Sequence, residues 1–247
     1  MQKRIAHITD THLDDPSALG RGIDPRKNLT DVLETIVTQN IDELVFTGDI
    51  GGPETLGWFF DKLEEYKPGF KITLGNHDAF TDAVKHFTHP SEGVNELYYS
   101  EEDEYYKHIF MDSSSGTVSM AQLDWLSQQV TTAKKIVVFI HHPILGLDTA
   151  VDTVYPLHNR DDVQQLLQQS RQQVTVFCGH YQMPDKRSSG KIIQYITPAV
   201  SFQVKKFARE IEVTTNLFAF RIITLTEHAV KTQLMVNFYD TFMPQAL

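Results

Sequence analysis

Five apolar segments of this chain each run directly into a short cluster of residues able to hold a metal ion. IAHIT (5–9) is followed by Asp10-Thr11-His12, and LVFT (44–47) by Gly48-Asp49. ITL (72–74) leads to Gly75-Asn76-His77-Asp78, VVFI (137–140) to His141-His142-Pro143, and VTVFC (174–178) to Gly179-His180. Ligands of open α/β sheets gather at the carboxyl ends of strands. If these five strands are neighbours in one sheet, the clusters converge on one rim. The donors are Asp and Asn oxygens and His nitrogens, with no thiolate. That mixture suits iron, manganese or zinc better than a thiolate zinc site or a calcium cage. Asp49 stands alone in its loop and is the natural bridge between two ions. Gly48, Gly75 and Gly179 each precede a candidate ligand, where glycine permits a sharp turn or a positive φ. Each cluster alone reads equally well as a polar turn; five in succession after buried strands do not.

The rest of the chain fits that reading. Helical spacing of apolar residues predicts helices over 27–39, 54–65, 80–87 and 160–170. Ser119 and Gln122 form a capping box opening a helix to about 130. Further strands are expected at 97–100, 105–112, 191–196, 207–213, 217–225 and 229–236. The run Glu101-Glu102-Asp103-Glu104 reads as a solvated hairpin turn. β-α repeats followed by a β-rich tail argue for packed mixed sheets with helices outside. Residues 1–247 are expected to form one domain, with the β-rich part at about 191–236 inside it.

Composition narrows the partners. With 22 basic and 32 acidic residues the net charge is -10, the wrong sign for a duplex nucleic-acid binder or for an anionic membrane surface. A phosphorylated small molecule would need a locally positive site, which bound metal ions supply. The one cysteine, Cys178, rules out an intrachain disulfide and suits a reducing compartment. No segment approaches the roughly 20 apolar residues of a membrane span, so a cytoplasmic protein is expected. The C-terminal strands could supply the edge of a homodimer, although nothing in the sequence requires one.

The ordered clusters resemble the calcineurin-like metallophosphoesterase superfamily, whose pattern is DxH, GD, GNH[DE], H and GHxH. The resemblance runs from residue 5 to about 182. It looks nearest to the bacterial branch of class III cyclic nucleotide phosphodiesterases and glycerophosphodiesterases, through the ITDTHL opening, the IFMDSS strand and the HHP turn. It implies an α/β fold, a four-layer α-β-β-α sandwich of two mixed sheets flanked by helices. It also implies a binuclear centre of two divalent or mixed-valence ions (manganese, iron or zinc). Asp10, His12 and Asp49 would hold the first ion; Asp49, Asn76, His141 and His180 the second. His77 would be a catalytic non-ligand, with Asp78 either orienting it or serving only the turn. One position departs: Gln182 stands where the family's last histidine completes the first site. A neutral oxygen is a weaker donor to iron or zinc than imidazole, so the first site is expected to bind more weakly or to prefer manganese.

The implied chemistry is hydrolysis of a small phosphodiester by hydroxide formed on the metals at neutral pH. Asn76 would help neutralise the phosphoryl oxygens, and His77 would protonate the leaving alkoxide. Two rival readings remain at this level. A non-catalytic binding protein of the same fold would explain Gln182. The other is a phosphomonoesterase, such as a nucleotidase or protein phosphatase; a protein phosphatase of the family usually carries arginines near the motifs, for which Arg21 and Arg26 are candidates.

Overall fold

The structure, a computed structural model, describes residues 2–66, 68–88, 91–238 and 241–245. In chain order the elements are β1 (Gln2–Ile8), α1 (Pro16–Gly20), α2 (Pro25–Val37), β2 (Glu43–Thr47), α3 (Leu56–Glu64), β3 (Gly69–Thr73), α4 (Phe80–Ala83), β4 (Tyr99–Glu102) and β5 (Tyr106–Phe110). There follow α5 (Met120–Gln129), β6 (Lys135–Phe139), α6 (Ala150–Val154), α7 (Arg160–Gln168), β7 (Val174–Cys178), β8 (Asp185–Ser189) and β9 (Ile192–Ile196). The chain ends with β10 (Gln203–Val204), β11 (Val213–Thr214), β12 (Ala219–Thr226), β13 (Val230–Phe238) and β14 (Thr241–Gln245).

Two six-stranded sheets result, ordered β14-β13-β12-β1-β2-β3 and β4-β5-β6-β7-β9-β8. In the first, β1, β2 and β3 are parallel and β12 runs against β1. In the second, β5, β6, β7 and β9 are parallel between antiparallel edges. Strands buried on both faces carry continuous apolar runs, and the two faces of each run go to different partners. Ile136 and Val138 of β6 join the core shared with α5 and α7, whereas Val137 and Phe139 face the core shared with the first sheet. On β2, Phe46 packs edge-on against Phe59 of α3 at 5.0 Å. Thr47, one residue on, points the other way and binds His7, whose ring meets Phe139 and Phe177 of the second sheet. The layers are therefore helix, sheet, sheet, helix, as expected. No helix among the described residues is long and apolar enough to cross a membrane.

Several expectations change. The five cluster-bearing strands are not in one sheet: β1, β2 and β3 lie in the first, β6 and β7 in the second. The clusters meet because the two packed sheets present their carboxyl ends to the same edge of the sandwich. The expected helix 80–87 shrinks to α4, whose N-cap Ala79 has no side chain to hold the first turn. Of the expected strand 207–213, only its last residue pairs, in β11, and Phe207 is 92% exposed. The acidic run is not a bare turn. Glu101 and Glu102 belong to β4 and pair with Lys71, Lys107 and Lys134, and Asp103 binds the His108 ring at 2.9 Å. The capping box is half made. Ser119 accepts from Gln122 N, but the Gln122 amide turns away to the backbone of Asp112.

Candidate metal centre

Backbone strain marks the place. Seven described non-glycine residues have positive φ, and five of them are Asp10, His12, Asp49, His180 and Gln182. Such conformations persist only where the surroundings impose them, and they concentrate at functional sites. The preceding glycines serve mostly by being small. Gly48 does have φ +89, but a Cβ on Gly75 would lie 2.2 Å from Asp49 Oδ1, and one on Gly179 would lie 2.5 Å from Asp10 Oδ2. Neither Gly75 nor Gly179 has positive φ; the left-handed turn falls on the candidate ligands themselves.

The side chains converge from both sheets. Asp49 Oδ1 accepts from His77 N at 3.0 Å, leaving Oδ2 to face both sides. Oδ2 lies 3.6 Å from His12 Nε2 and 3.3 Å from His141 Nε2. On the His141 side, Nε2 is 3.2 Å from Asn76 Oδ1 and 3.2 Å from His180 Nδ1. The other nitrogen of each ring is occupied: His141 Nδ1 meets the Thr47 carbonyl at 2.6 Å, and His180 Nε2 the Tyr155 carbonyl at 2.9 Å. A carbonyl can only accept, so it fixes a proton on that nitrogen, and in the neutral ring the other nitrogen faces the cluster as a lone pair.

On the His12 side, Asp10 Oδ2 accepts from Thr9 Oγ1 and His180 N, at 2.7 and 3.0 Å. Asp10 Oδ1 is 3.7 Å from His12 Nε2. The Gln182 amide nitrogen approaches His12 Nε2 at 2.7 Å and Asp10 Oδ1 at 3.5 Å, while Gln182 Oε1 is buried without a hydrogen-bond partner. Exchanging amide oxygen and nitrogen is a rotation of the terminal group. With the oxygen inward, Gln182 Oε1 would join Asp10 Oδ1 and His12 Nε2 around one point, an arrangement that a cation, or a proton on His12, makes favourable. The donor set and the stranded oxygen both fit metal ions.

Electrostatics agree. Burial would lower the pKa of His141, but the carboxylates of Asp49 and Asp10 raise it to about 9. Burial, helped by His141, lowers that of His180 to about 4. Without a cation, the cluster recruits a proton instead.

His77 and Asn76 are exposed at the mouth, and a His77 ring nitrogen lies within 4.8 Å of the His12 and Asp49 donors. Asp78 does not orient His77. It accepts from the backbone N–H groups of Asp49, Ile50 and Gly75 at 2.7, 2.9 and 2.8 Å, so it ties the β2 and β3 turns together. Neither candidate arginine reaches the site. Arg26 is forked onto Asp14 and covers Trp58, and Arg21 lines a separate hollow. Among the described residues lining the cleft over the centre, none is lysine or arginine.

A network behind the centre escaped the sequence reading. His7 Nε2 meets Thr47 Oγ1 at 2.8 Å and His7 Nδ1 meets Thr197 Oγ1 at 2.7 Å. Arg221, fully buried, donates from Nε to Thr197 Oγ1 at 3.0 Å and from Nη2 to the Ile196 carbonyl at 2.9 Å. In an alternating strand such polar residues read as solvent-facing; only the packing of two sheets turns them inward.

Comparison with known proteins gives a consistent picture. The sequence model of the family described as calcineurin-like phosphoesterase matches residues 3–184. A curated protein of Fibrobacter succinogenes, named a probable cyclic nucleotide phosphodiesterase, is 30% identical over 215 residues, 81% of each chain. One of Arcobacter nitrofigilis, named a probable glycerophosphodiester phosphodiesterase, is 28% identical, covering 81% of this chain and 79% of its own. A purple acid phosphatase from yellow lupin shares the fold at TM-score 0.74 and 11% identity, over 99% of this chain and 53% of its own. A dimetal phosphatase from Danio rerio does so at TM-score 0.65 and 12% identity, over 93% and 98%. Matched over most of its length by the family's sequence model, this chain belongs to the calcineurin-like phosphoesterases.

Proposed function

We propose that this chain is a binuclear, metal-dependent phosphodiesterase acting on a small phosphodiester. One observation carries the reading: two groups of donors, one from each side, meet at the single oxygen Asp49 Oδ2. In this assignment Asp10, His12, Asp49 and Gln182 hold one ion, and Asp49, Asn76, His141 and His180 hold the other. Oxygen and imidazole donors without thiolate favour manganese, iron or zinc. The bound ions would supply Lewis acidity toward the phosphoryl oxygens and lower the pKa of water toward about 7.

The chain's own residues do the rest. Asn76 Oδ1 faces His141, which leaves its amide N–H groups to donate to a phosphoryl oxygen. His77 is held against Asp49 through its backbone N–H, and its exposed imidazole is placed to give a proton to the departing alkoxide. The absence of lysine and arginine from the cleft lining supports a monoanionic diester over a dianionic monoester, and the names of the curated relatives point the same way.

The core shared by both sheets supports one domain over 1–247. Cys178, buried and unpaired, is compatible with a cytoplasmic setting. For a homodimer through the C-terminal strands, Pro244 in edge strand β14 opposes simple strand addition.

The deciding experiment strips the protein with chelator and reloads it with manganese, iron or zinc. Hydrolysis of bis(4-nitrophenyl) phosphate and of 4-nitrophenyl phosphate is then compared. Metal-dependent turnover with the diester ahead is expected. No turnover with any metal would return the chain to the non-catalytic reading, and monoester preference would make it a phosphomonoesterase.

A further inference from the structure

The cleft of about 320 Å³ over the centre has two unlike sides. One is the donor cluster with His77. The other is wholly apolar apart from one phenol: Val151, Tyr155, Phe202, Val204, Ile211 and Val213. Two separate pieces build it, α6 with the residue that ends it, and the β10–β11 ribbon with its approaches.

Each piece is hydrogen-bonded to a member of the donor cluster. The Tyr155 carbonyl accepts from His180 Nε2, and Val204 N–H donates to the Gln182 carbonyl at 2.9 Å. α6 is pinned further through Asp152, which accepts from Leu147 N at 2.8 Å, from Arg160 Nη1 at 2.6 Å and from the Tyr181 hydroxyl. The ribbon is closed by Val204 pairing with Val213 and by Lys205 N–H on the Glu212 carbonyl at 2.8 Å. The apolar side therefore stands at a set distance from the donors. Yet Tyr155 is 55% and Ile211 40% exposed. Apolar surface left open beside a polar reaction centre is what a ligand covers.

We propose that this surface receives one ester arm of the phosphodiester, and that the arm presents the flat face of a ring, an aryl group or a nucleobase, rather than a polyol such as glycerol. The inference rests on the phosphodiesterase reading above and deepens it. Glycerol hydroxyls laid against Val151, Val204, Ile211 and Val213 would surrender water and find no partner, a loss that a site punishes heavily. A planar ring has nothing to leave unsatisfied on its faces and buries apolar area against the valines and isoleucine.

Symmetrical diesters make the test clean, because either arm can enter the cleft. Binding of diphenyl, dimethyl and bis(2,3-dihydroxypropyl) phosphate to the manganese-loaded full chain is measured by calorimetry. Thymidine 5′-methyl phosphate reports whether the planar group can be a nucleobase. The expected result is diphenyl phosphate or the thymidine diester binding about tenfold or more tighter than the glyceryl diester. The double substitution Ile211→Ser, Val213→Ser should bring that ratio to within about threefold. Tyr155→Ser, at an exposed side chain, should move it in the same direction if the double variant does not fold. Equal or tighter binding of the glyceryl diester, or a ratio that neither variant moves, overturns the inference. Diester hydrolysis with no planar preference sinks only this inference, whereas binding preference without any metal-dependent hydrolysis sinks the proposed activity.

Discussion

His141 and His180 each bind one ring nitrogen to a backbone carbonyl and turn the other into the centre, whereas the Gln182 amide is held there by side chains alone, its nitrogen on His12 and Asp10 and its oxygen buried without a hydrogen-bond partner. The first pair is oriented by main chain, through the carbonyls of Thr47 and Tyr155. Among the described residues the second pair has no such main-chain anchor for its side chains, and the amide oxygen gains a partner only when a cation or a proton on His12 Nε2 faces it. One half of the centre is oriented by main chain; the other leaves a buried polar atom for a bound ion to satisfy. The difference arises at a single sequence position, since an imidazole at 182 would offer a lone pair where the amide now offers hydrogens.

The largest expected effect comes from removing what the halves share. Asp49→Gly should strip metal from both sides and cut hydrolysis by more than the roughly 100-fold that loss of a supporting hydrogen-bond partner costs a metal site. Metal analysis after gel filtration reads this directly; one full equivalent retained would show that Asp49 is not shared. Next is His77→Ala, which should slow turnover of a diester with a poor leaving group by about 100-fold with metal content unchanged. Undiminished turnover of that substrate removes His77 from proton transfer.

Gln182→His addresses the asymmetry itself. It should tighten one of two metal-binding steps by about tenfold, as imidazole replaces amide oxygen, and leave the other alone. Titration showing equal affinities at both sites already in the wild type would abolish the contrast.

The last effect is on folding stability rather than on metal binding or turnover, and it lies behind the half that main chain orients. Burial, reinforced by Arg221, lowers the His7 pKa from 6.5 to about 3. Below pH 6.5 the unfolded chain takes a proton that the folded chain refuses until about pH 3. Stability of the metal-free protein should therefore fall by a few kcal/mol as pH drops through that window. Urea midpoints of wild type and His7→Gln should converge toward low pH; parallel curves would exclude His7 as a source of acid sensitivity.

Much of this was legible because the strands are apolar on both faces and stop abruptly at polar clusters, so 5–9, 44–47, 72–74, 137–140 and 174–178 announced both an element and its end. The partition of those strands between two sheets was not legible, since an apolar run does not say which neighbour it pairs with. Two edge strands, β8 and β14, were lost for a related reason. β8 reads DKRSS and β14 reads TFMPQ, and neither carries an alternation that a single sequence can separate from loop. Asp78 was left between two roles and Arg221 was missed because their partners are backbone atoms or distant hydroxyls. The lining of the cleft by the β10–β11 ribbon depends on where a two-residue pairing forms, which no local pattern specifies.

The left-handed backbone at Asp10, His12, Asp49, His180 and Gln182 also governs how mutational data on this protein should be interpreted. At such positions alanine is a poor deletion, because its Cβ keeps the steric penalty of positive φ that a residue without one escapes. Glycine removes the side chain and relieves the backbone together. A scan of these five positions should thus contain variants that lose activity while melting no lower than the parent, and their thermal robustness would be a signature of the turn they occupy rather than evidence that the side chain was idle.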